Sequence, residues 1–218
     1  MRMNQATWIG GAAILAWSTL ASLTTLTGAL PPFETVAITF AVGSAAILLV
    51  SVLRGANPLH HLHIPWRAWV LGVGGLFGYH ALYFTALKTA PPVEANLINY
   101  LWPLLLVLGA ALLPGETLRW NHVVGTLCGL LGTILLVTRS GGISVQPEYL
   151  PGYAAALACA VVWSSYSVLS RRLGAVPTDA VAWTCLATSA LAGVCHLLLE
   201  TTVWPADAAA WSMLVLMG

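Results

Sequence analysis

Long apolar segments with almost no charge constrain the fold of this chain more than any other feature. Seven segments each hold about 20 mostly apolar residues, the length of α-helix that crosses the hydrocarbon core of a bilayer. These segments cover residues 6–28, 35–53, 68–87, 95–113, 120–138, 149–169 and 180–199. An eighth begins near Ala208 and is still apolar at Gly218. The pattern predicts an all-α membrane protein, a bundle of transmembrane helices.

The scarcity of charge supports this prediction. The 218 residues include only eight Lys or Arg and seven Asp or Glu, and 59% of the chain is hydrophobic. A soluble domain typically carries about a quarter charged residues, so most of this surface is expected to face the lipid bilayer. A net charge of +1 gives no basis for a nucleic-acid partner.

Cofactor and catalytic motifs are not predicted. The four cysteines lie inside apolar segments without CxxC spacing, which favours packing over a disulfide or a zinc site. The His-rich run at 60–63 has no cysteine or carboxylate beside it, which favours an interfacial loop over a metal site. No nucleophile with an acid–base partner stands near an interface, so a lipid-modifying membrane enzyme ranks below the other functions considered. We expect no cofactor and no catalytic residue.

The distribution of basic residues predicts the orientation. With the N-terminus in the cytoplasm, six of the eight basic residues fall on the cytoplasmic side: Arg2, Arg54, Arg67, Arg119, Arg171 and Arg172. Only Lys88 and Arg139 fall outside. Because cytoplasmic loops are enriched in Lys and Arg, a cytoplasmic N-terminus is predicted, with residues 6–28 as a first span and not a cleaved leader.

An internal repeat is indicated by two matching positions. A Trp-Ser pair begins at Trp17, 14 residues before Pro31, and another begins at Trp163, 14 residues before Pro177. The two pairs are 146 positions apart (17 and 163), which corresponds to five spans. Since five is odd, the second copy enters the membrane upside down relative to the first. Inverted repeats of this kind are typical of transporters, whose substrate site lies near the midplane between the copies.

Several short runs resemble a known family when their order and spacing are taken together. They are ALKTA at 86–90, ANLI at 95–98, LWP at 101–103 and PGETL at 114–118, followed by Gly125 and Gly132. This arrangement resembles the EamA-type family of the drug/metabolite transporter superfamily. Within that family, the Tyr-rich third span and the NYLWP run at 99–103 are most similar to bacterial aromatic amino acid exporters.

The resemblance implies an architecture and a class of function. Two inverted five-helix repeats are implied, with residues 1–140 as the first and 141–218 as the start of the second. The parent protein is then expected to have about ten helices, and this chain to end in the eighth. The implied activity is secondary transport across the inner membrane of a bacterium, and a monomer is compatible with it.

Polar side chains inside the third and fourth spans mark a candidate substrate site, since polar groups in hydrocarbon indicate interhelical contacts or a wet cavity. The six candidates are Tyr79, His80 and Tyr83 in the third span and Asn96, Asn99 and Tyr100 in the fourth. Tyr79 and Tyr83 are four residues apart, and so are Asn96 and Tyr100. Each of these two pairs therefore lies on one helix face. Other interpretations stay open: an asparagine often joins two membrane helices, and His80 either carries a proton or is a neutral histidine bonded to a neighbouring helix.

Five further residues complete the candidate site. Trp102 and Pro103 follow directly, and a proline inside a helix permits a kink or hinge. Trp17, Trp163 and Ser164 belong to the repeat-related spans and can close the same space from the other side, although a tryptophan in mid-span is more often a packing residue. Gly74 and Gly78 are predicted to form a face for close helix packing.

The predicted pocket has aromatic walls, amide groups and no formal charge. It suits a ligand with an aromatic or apolar body and a small polar head, which favours export of aromatic and other small amino acids by alternating access. Phosphate or nucleotide-sugar substrates are disfavoured because they require Arg or Lys. The alternatives are an exporter of another small neutral metabolite or drug, and a membrane scaffold without a cavity.

Overall fold

In the computed structural model, the described residues are 8, 11, 12, 15, 23, 30–62, 64–113, 115, 118–139, 146–173 and 177–218. They form eight α-helices: α1 (Pro32–Leu53), α2 (Trp66–Thr89), α3 (Pro92–Asn99), α4 (Trp102–Ala110), α5 (Trp120–Arg139), α6 (Leu150–Arg172), α7 (Thr178–Leu199) and α8 (Ala208–Met217). Short 3-10 helices cover Pro58–Leu62 and Pro147–Tyr149. The predicted span 6–28 lies almost entirely outside the described residues.

The all-α membrane fold predicted from the sequence is confirmed. Five helical stretches in the described part of the chain are long and apolar enough to cross a bilayer: Pro32–Leu53, Trp66–Thr89, Pro92–Ala110, Pro147–Arg172 and Ala180–Leu199. Helix α5 covers the predicted span 120–138. Large apolar side chains are widely exposed, as Leu53 and Leu197 show at 76% and 78%. Such a surface is stable only against lipid.

Prolines determine where four of the helices begin. Pro31, Pro65, Pro91 and Pro177 stand directly before α1, α2, α3 and α7, each with an extended backbone. A proline fits there because its φ is already near the required value and its missing N–H has no helical partner at that position. Local proline stereochemistry therefore accounts for the start of each of these four helices.

Two antiparallel helix pairs form the centre of the bundle. Helix α1 packs along α7, and α2 packs along α6. A Cβ at Gly152 on α6 would stand 2.6 Å from the Ala90 Cβ, and a Cβ at Gly75 on α2 would overlap the Tyr166 ring. Glycine is therefore required at both ends of the α2–α6 contact. The close approach falls at Gly75, whereas a Cβ at Gly74 would meet nothing within 4 Å among the described residues.

The fourth predicted span is divided in two. Tyr100 and Leu101 are turn residues between α3 and α4. The Leu101 N–H donates to Ile98 O at 3.1 Å, a tightened step in place of the regular α-helical bond. Pro103 has no N–H and so cannot donate to the Asn99 carbonyl, its partner in an unbroken helix. The helix is interrupted at Tyr100 and Leu101, and Pro103 lies in the first turn of α4, so a hinge at Pro103 stays a prediction.

The two-repeat organisation also stays a prediction. Of the two Trp-Ser pairs that indicate it, the first lies outside the described residues and the second lies in the middle of α6.

Candidate functional site

Two hydrogen bonds join the third and fourth predicted spans, one turn apart. The Tyr83 hydroxyl donates to Asn96 Oδ1 at 2.8 Å, and Asn96 Nδ2 donates to the Pro92 carbonyl at 2.8 Å. One turn away, Asn99 Nδ2 donates to the Tyr79 hydroxyl at 3.2 Å. The spacing of four on α2 and three on α3 places all four side chains on facing helix surfaces. These four side chains therefore lie close together, as their spacing predicts.

Aromatic rings from two helices complete this cluster. The rings of Tyr79 and Tyr83 are stacked, with centroids 5.7 Å apart and planes 8° from parallel. The Trp163 ring of α6 lies 4.9 Å from the Tyr79 ring. The thiol of Cys159, one turn from Trp163, donates to the Tyr79 carbonyl at 3.4 Å. Tyr79 is therefore the central member of the cluster.

Ser164 contacts backbone carbonyl groups of two helices. Its hydroxyl lies 3.0 Å from the Trp102 carbonyl and 2.6 Å from the Ala160 carbonyl, and the residue is buried. The side chain therefore joins α6 to the start of α4, directly after the helix break. A role in holding the two helices together explains this geometry better than direct ligand contact.

His80 lies on the side of α2 that faces α1. Its Nδ1 is 2.7 Å from the Leu76 carbonyl, and because a carbonyl only accepts, Nδ1 carries the hydrogen. The imidazole packs edge-on against Phe40 at 4.8 Å and against Tyr79 at 5.1 Å. Within the part of the chain that the structure describes, this histidine is bonded to its own helix.

The remaining predicted residues are placed at or beyond the helix break. Tyr100 is 51% exposed, whereas Trp102 and Pro103 are partly buried. Trp17 lies outside the described residues. The geometry thus brings together Tyr79, Tyr83, Asn96, Asn99 and Trp163, with His80 beside them.

An open, apolar groove of about 560 Å³ lies next to this cluster. It runs between α2 and α6, toward the end of the pair where α2 begins, and Gly75 and Tyr166 contribute to its wall. Arg67 and Arg172 stand at its edge. None of the predicted site residues lines it.

A buried ionic cluster at the opposite end was not anticipated. The Glu200 carboxylate accepts hydrogen bonds from the backbone N–H groups of Phe33 and Glu34 at 3.2 and 3.3 Å, so it caps the start of α1. His196 Nδ1 lies 3.0 Å from Glu200. The Glu34 carboxylate accepts from the Val203 N–H at 3.0 Å. The sequence signal was two acids next to helix ends, which could equally have been solvated surface residues.

A third acid, Glu94, is buried against a tyrosine. The Tyr153 hydroxyl donates to Glu94 at 3.2 Å, and both residues are less than 10% exposed. This bond ties the beginning of α6 to the beginning of α3. Glu94, like Glu34 and Glu200, is therefore a buried acid with a structural partner.

The architecture defines a class of protein. Apolar helices that cross a bilayer, with uncharged rings and amides turned toward one another between them, are typical of a helical membrane transporter. Residues 5–138 match the model of the EamA-like transporter family. The chain belongs to this family, whose members are transporters and not enzymes.

Individual relatives cover most or all of the chain. The aromatic amino acid exporter YddG of Ancylobacter novellus is 55% identical over the whole chain, which covers 76% of that protein. YddG of Escherichia coli K12 is 27% identical over 79% of the chain and 61% of its own length. A solved crystal structure, 55% identical, superimposes with a TM-score of 0.90 over 98% of this chain and 73% of its own.

Proposed function

We propose that this protein exports aromatic and other small amino acids across the bacterial cytoplasmic membrane by alternating access. The observation that carries the proposal is the cluster of Tyr79, Tyr83, Asn99 and Trp163, in which two phenols, an indole and an amide from three helices meet without a formal charge. The 55% identical relative is named as an aromatic amino acid exporter, which supports the same substrate class.

The chemistry of the cluster favours an aromatic ligand. Aromatic rings associate in stacked or edge-on arrangements worth about 0.5–1.5 kcal/mol beyond the area that they bury. Amides and phenols add hydrogen bonds without an ionised group in the membrane interior, where a charge is expensive. An organic phosphate would require Arg or Lys at the same place, and the cluster contains neither.

The helix break supports the transport mechanism. Alternating access requires one part of the bundle to move against another around the substrate site. The break at Tyr100 and Leu101 immediately follows Asn99, so a rotation there would change the position of a substrate-contacting side chain. We assign the hinge to Pro103.

The orientation and assembly complete the proposal. The arginine distribution supports a cytoplasmic N-terminus, and export then runs from the side of Arg67 toward the side of Lys88. The bilayer is the required partner, and a monomer is sufficient because the cluster is formed within one chain.

Transport by the full-length protein in liposomes tests this function. Labelled phenylalanine and tryptophan should enter protein-containing liposomes, with unlabelled aromatic amino acids as competitors. Trp163→Ala should lower the initial rate about tenfold, the factor that corresponds to about 1.4 kcal/mol, because it removes the ring that packs against Tyr79. Leu157→Ala, an exposed residue of the same helix, is the matched control. Movement of a neutral sugar or drug in place of every amino acid tried would contradict the proposed substrate.

A further inference from the structure

Asn99 holds a buried hydrogen-bond acceptor to which no described residue donates. The residue is 7% exposed. Its Nδ2 donates to the Tyr79 hydroxyl at 3.2 Å. No described residue donates to its Oδ1, which is shielded from solvent. Leaving such an atom unpaired in a protein interior is unfavourable. A group that brings N–H donors to this point would therefore be bound.

The backbone of the same residue adds a second acceptor. In an unbroken helix the Asn99 carbonyl would accept from the N–H of residue 103, but that residue is proline and has none. The helix break thus leaves acceptor oxygens of Asn99, from side chain and backbone, short of their usual donors. An ammonium group carries three N–H donors and suits such a place.

The Tyr79 hydroxyl supplies the complementary donor. It accepts the hydrogen bond from Asn99 Nδ2, and no described residue accepts its own proton. A free acceptor and a free donor therefore lie side by side, next to the rings of Tyr83 and Trp163.

We propose that this pair recognises the head of a zwitterionic α-amino acid. Asn99 Oδ1 accepts from the substrate ammonium, the Tyr79 hydroxyl donates to the substrate carboxylate, and the substrate side chain packs against Trp163. This inference rests on the proposed function and assigns its specificity. A zwitterion has no net charge, so it suits an uncharged site in the membrane, whereas a lone amine or a lone carboxylate brings an uncompensated charge.

Entry of the substrate requires movement. Because Oδ1 is shielded in this conformation, the ammonium reaches it only after a neighbouring group is displaced. The break that directly follows Asn99 provides the freedom for this displacement.

The test compares three ligands that share one phenyl ring. Phenylalanine, phenethylamine (without the carboxylate) and 3-phenylpropionate (without the ammonium) compete against labelled phenylalanine in liposomes with the full-length protein. The unaltered protein should prefer phenylalanine by about tenfold or more, the value of one hydrogen bond to a charged group. Tyr79→Phe should reduce the preference over phenethylamine, since the carboxylate then has no donor.

Two further variants sharpen the comparison. Asn99→Asp places a charged acceptor at the same position, so phenethylamine should become an effective competitor, a gain that a misfolded protein cannot show. Tyr166→Phe removes a phenol one turn from Trp163, outside the pair, and should leave the ranking of the three ligands unchanged.

The outcomes separate the two proposals. If the unaltered protein moves no amino acid, the proposed function fails and this inference fails with it. If phenylalanine is transported but Tyr79→Phe and Asn99→Asp keep the original ranking of the three ligands, only the recognition of the zwitterion by this pair is overturned.

Discussion

At the scale of residues, two asparagines in the membrane interior differ in how far their polar groups are paired. The Tyr83 hydroxyl donates to Asn96 Oδ1, and Asn96 Nδ2 donates to the Pro92 carbonyl. Asn99 differs because one of its oxygens has no donor among the described residues. Two asparagines three positions apart thus differ: Asn96 joins helices, and Asn99 is the one to which we assign ligand binding.

The structural role of Asn96 predicts the effect of Tyr83→Phe. The ring and its stacking on Tyr79 remain, but Asn96 Oδ1 loses its 2.8 Å donor. Thermal unfolding in detergent should show a loss of about 1 kcal/mol, the typical value of one such bond. Tyr166→Phe serves as the control. Equal stability of the two variants would contradict this role of Asn96.

At the scale of elements, the broken helix is the feature most closely linked to movement. Helices α3 and α4 together are long enough to span the bilayer, yet two turn residues separate them. The Ser164 hydroxyl contacts the Trp102 carbonyl just beyond the break. The first turn of α4 is therefore bonded to α6, while α3 is bonded to both α2 and α6.

Pro103→Ala tests whether the break acts as a hinge. Alanine restores an N–H that can donate to the Asn99 carbonyl, so the helix should become continuous and stiffer. We expect transport to slow about tenfold, equivalent to about 1.4 kcal/mol, while thermal stability is unchanged or higher. Parallel measurement of the initial transport rate and of unfolding separates this result from misfolding. An unchanged rate would argue against the hinge.

At the scale of the whole molecule, distant parts of the sequence hold one another in place. Helix α1 is capped by Glu200, 166 and 167 positions away from the two N–H groups that it binds. At the other end of the same pair, the Trp183 indole donates to the Pro58 carbonyl at 3.0 Å. The α1–α7 pair is thus fastened at both ends and provides the frame beside which α2 and α6 position the candidate site.

Glu200→Gln should weaken this frame. The amide keeps the shape of the carboxylate but loses its charge, and with it the charge-assisted bonds to the start of α1 and to His196. A loss of about 1–3 kcal/mol is expected. Glu148→Gln, an exposed acid at the start of α6, is the control and should stay close to the unaltered protein. Thermal unfolding in detergent distinguishes the two, and indistinguishable curves would rule out the capping role.

The sequence was sufficient for the elements and for part of the candidate site. Helix positions follow from apolar length and from prolines, which act locally, so α1, α2 and α7 begin where Pro31, Pro65 and Pro177 indicate. The spacing of polar residues along α2 and along α3 predicts which surfaces of these two helices face each other. The role of Ser164 was missed because it depends on which carbonyl of another helix lies nearby.

Apolar length, proline positions and the scarcity of charge by themselves determined that this chain is a helical membrane protein, because the bilayer imposes these requirements on each segment separately. Only the tertiary structure decided that Glu34, His196 and Glu200 are buried together and that no described residue donates to Asn99 Oδ1. Burial and pairing are properties of contacts between segments far apart in the chain, and no local pattern specifies them.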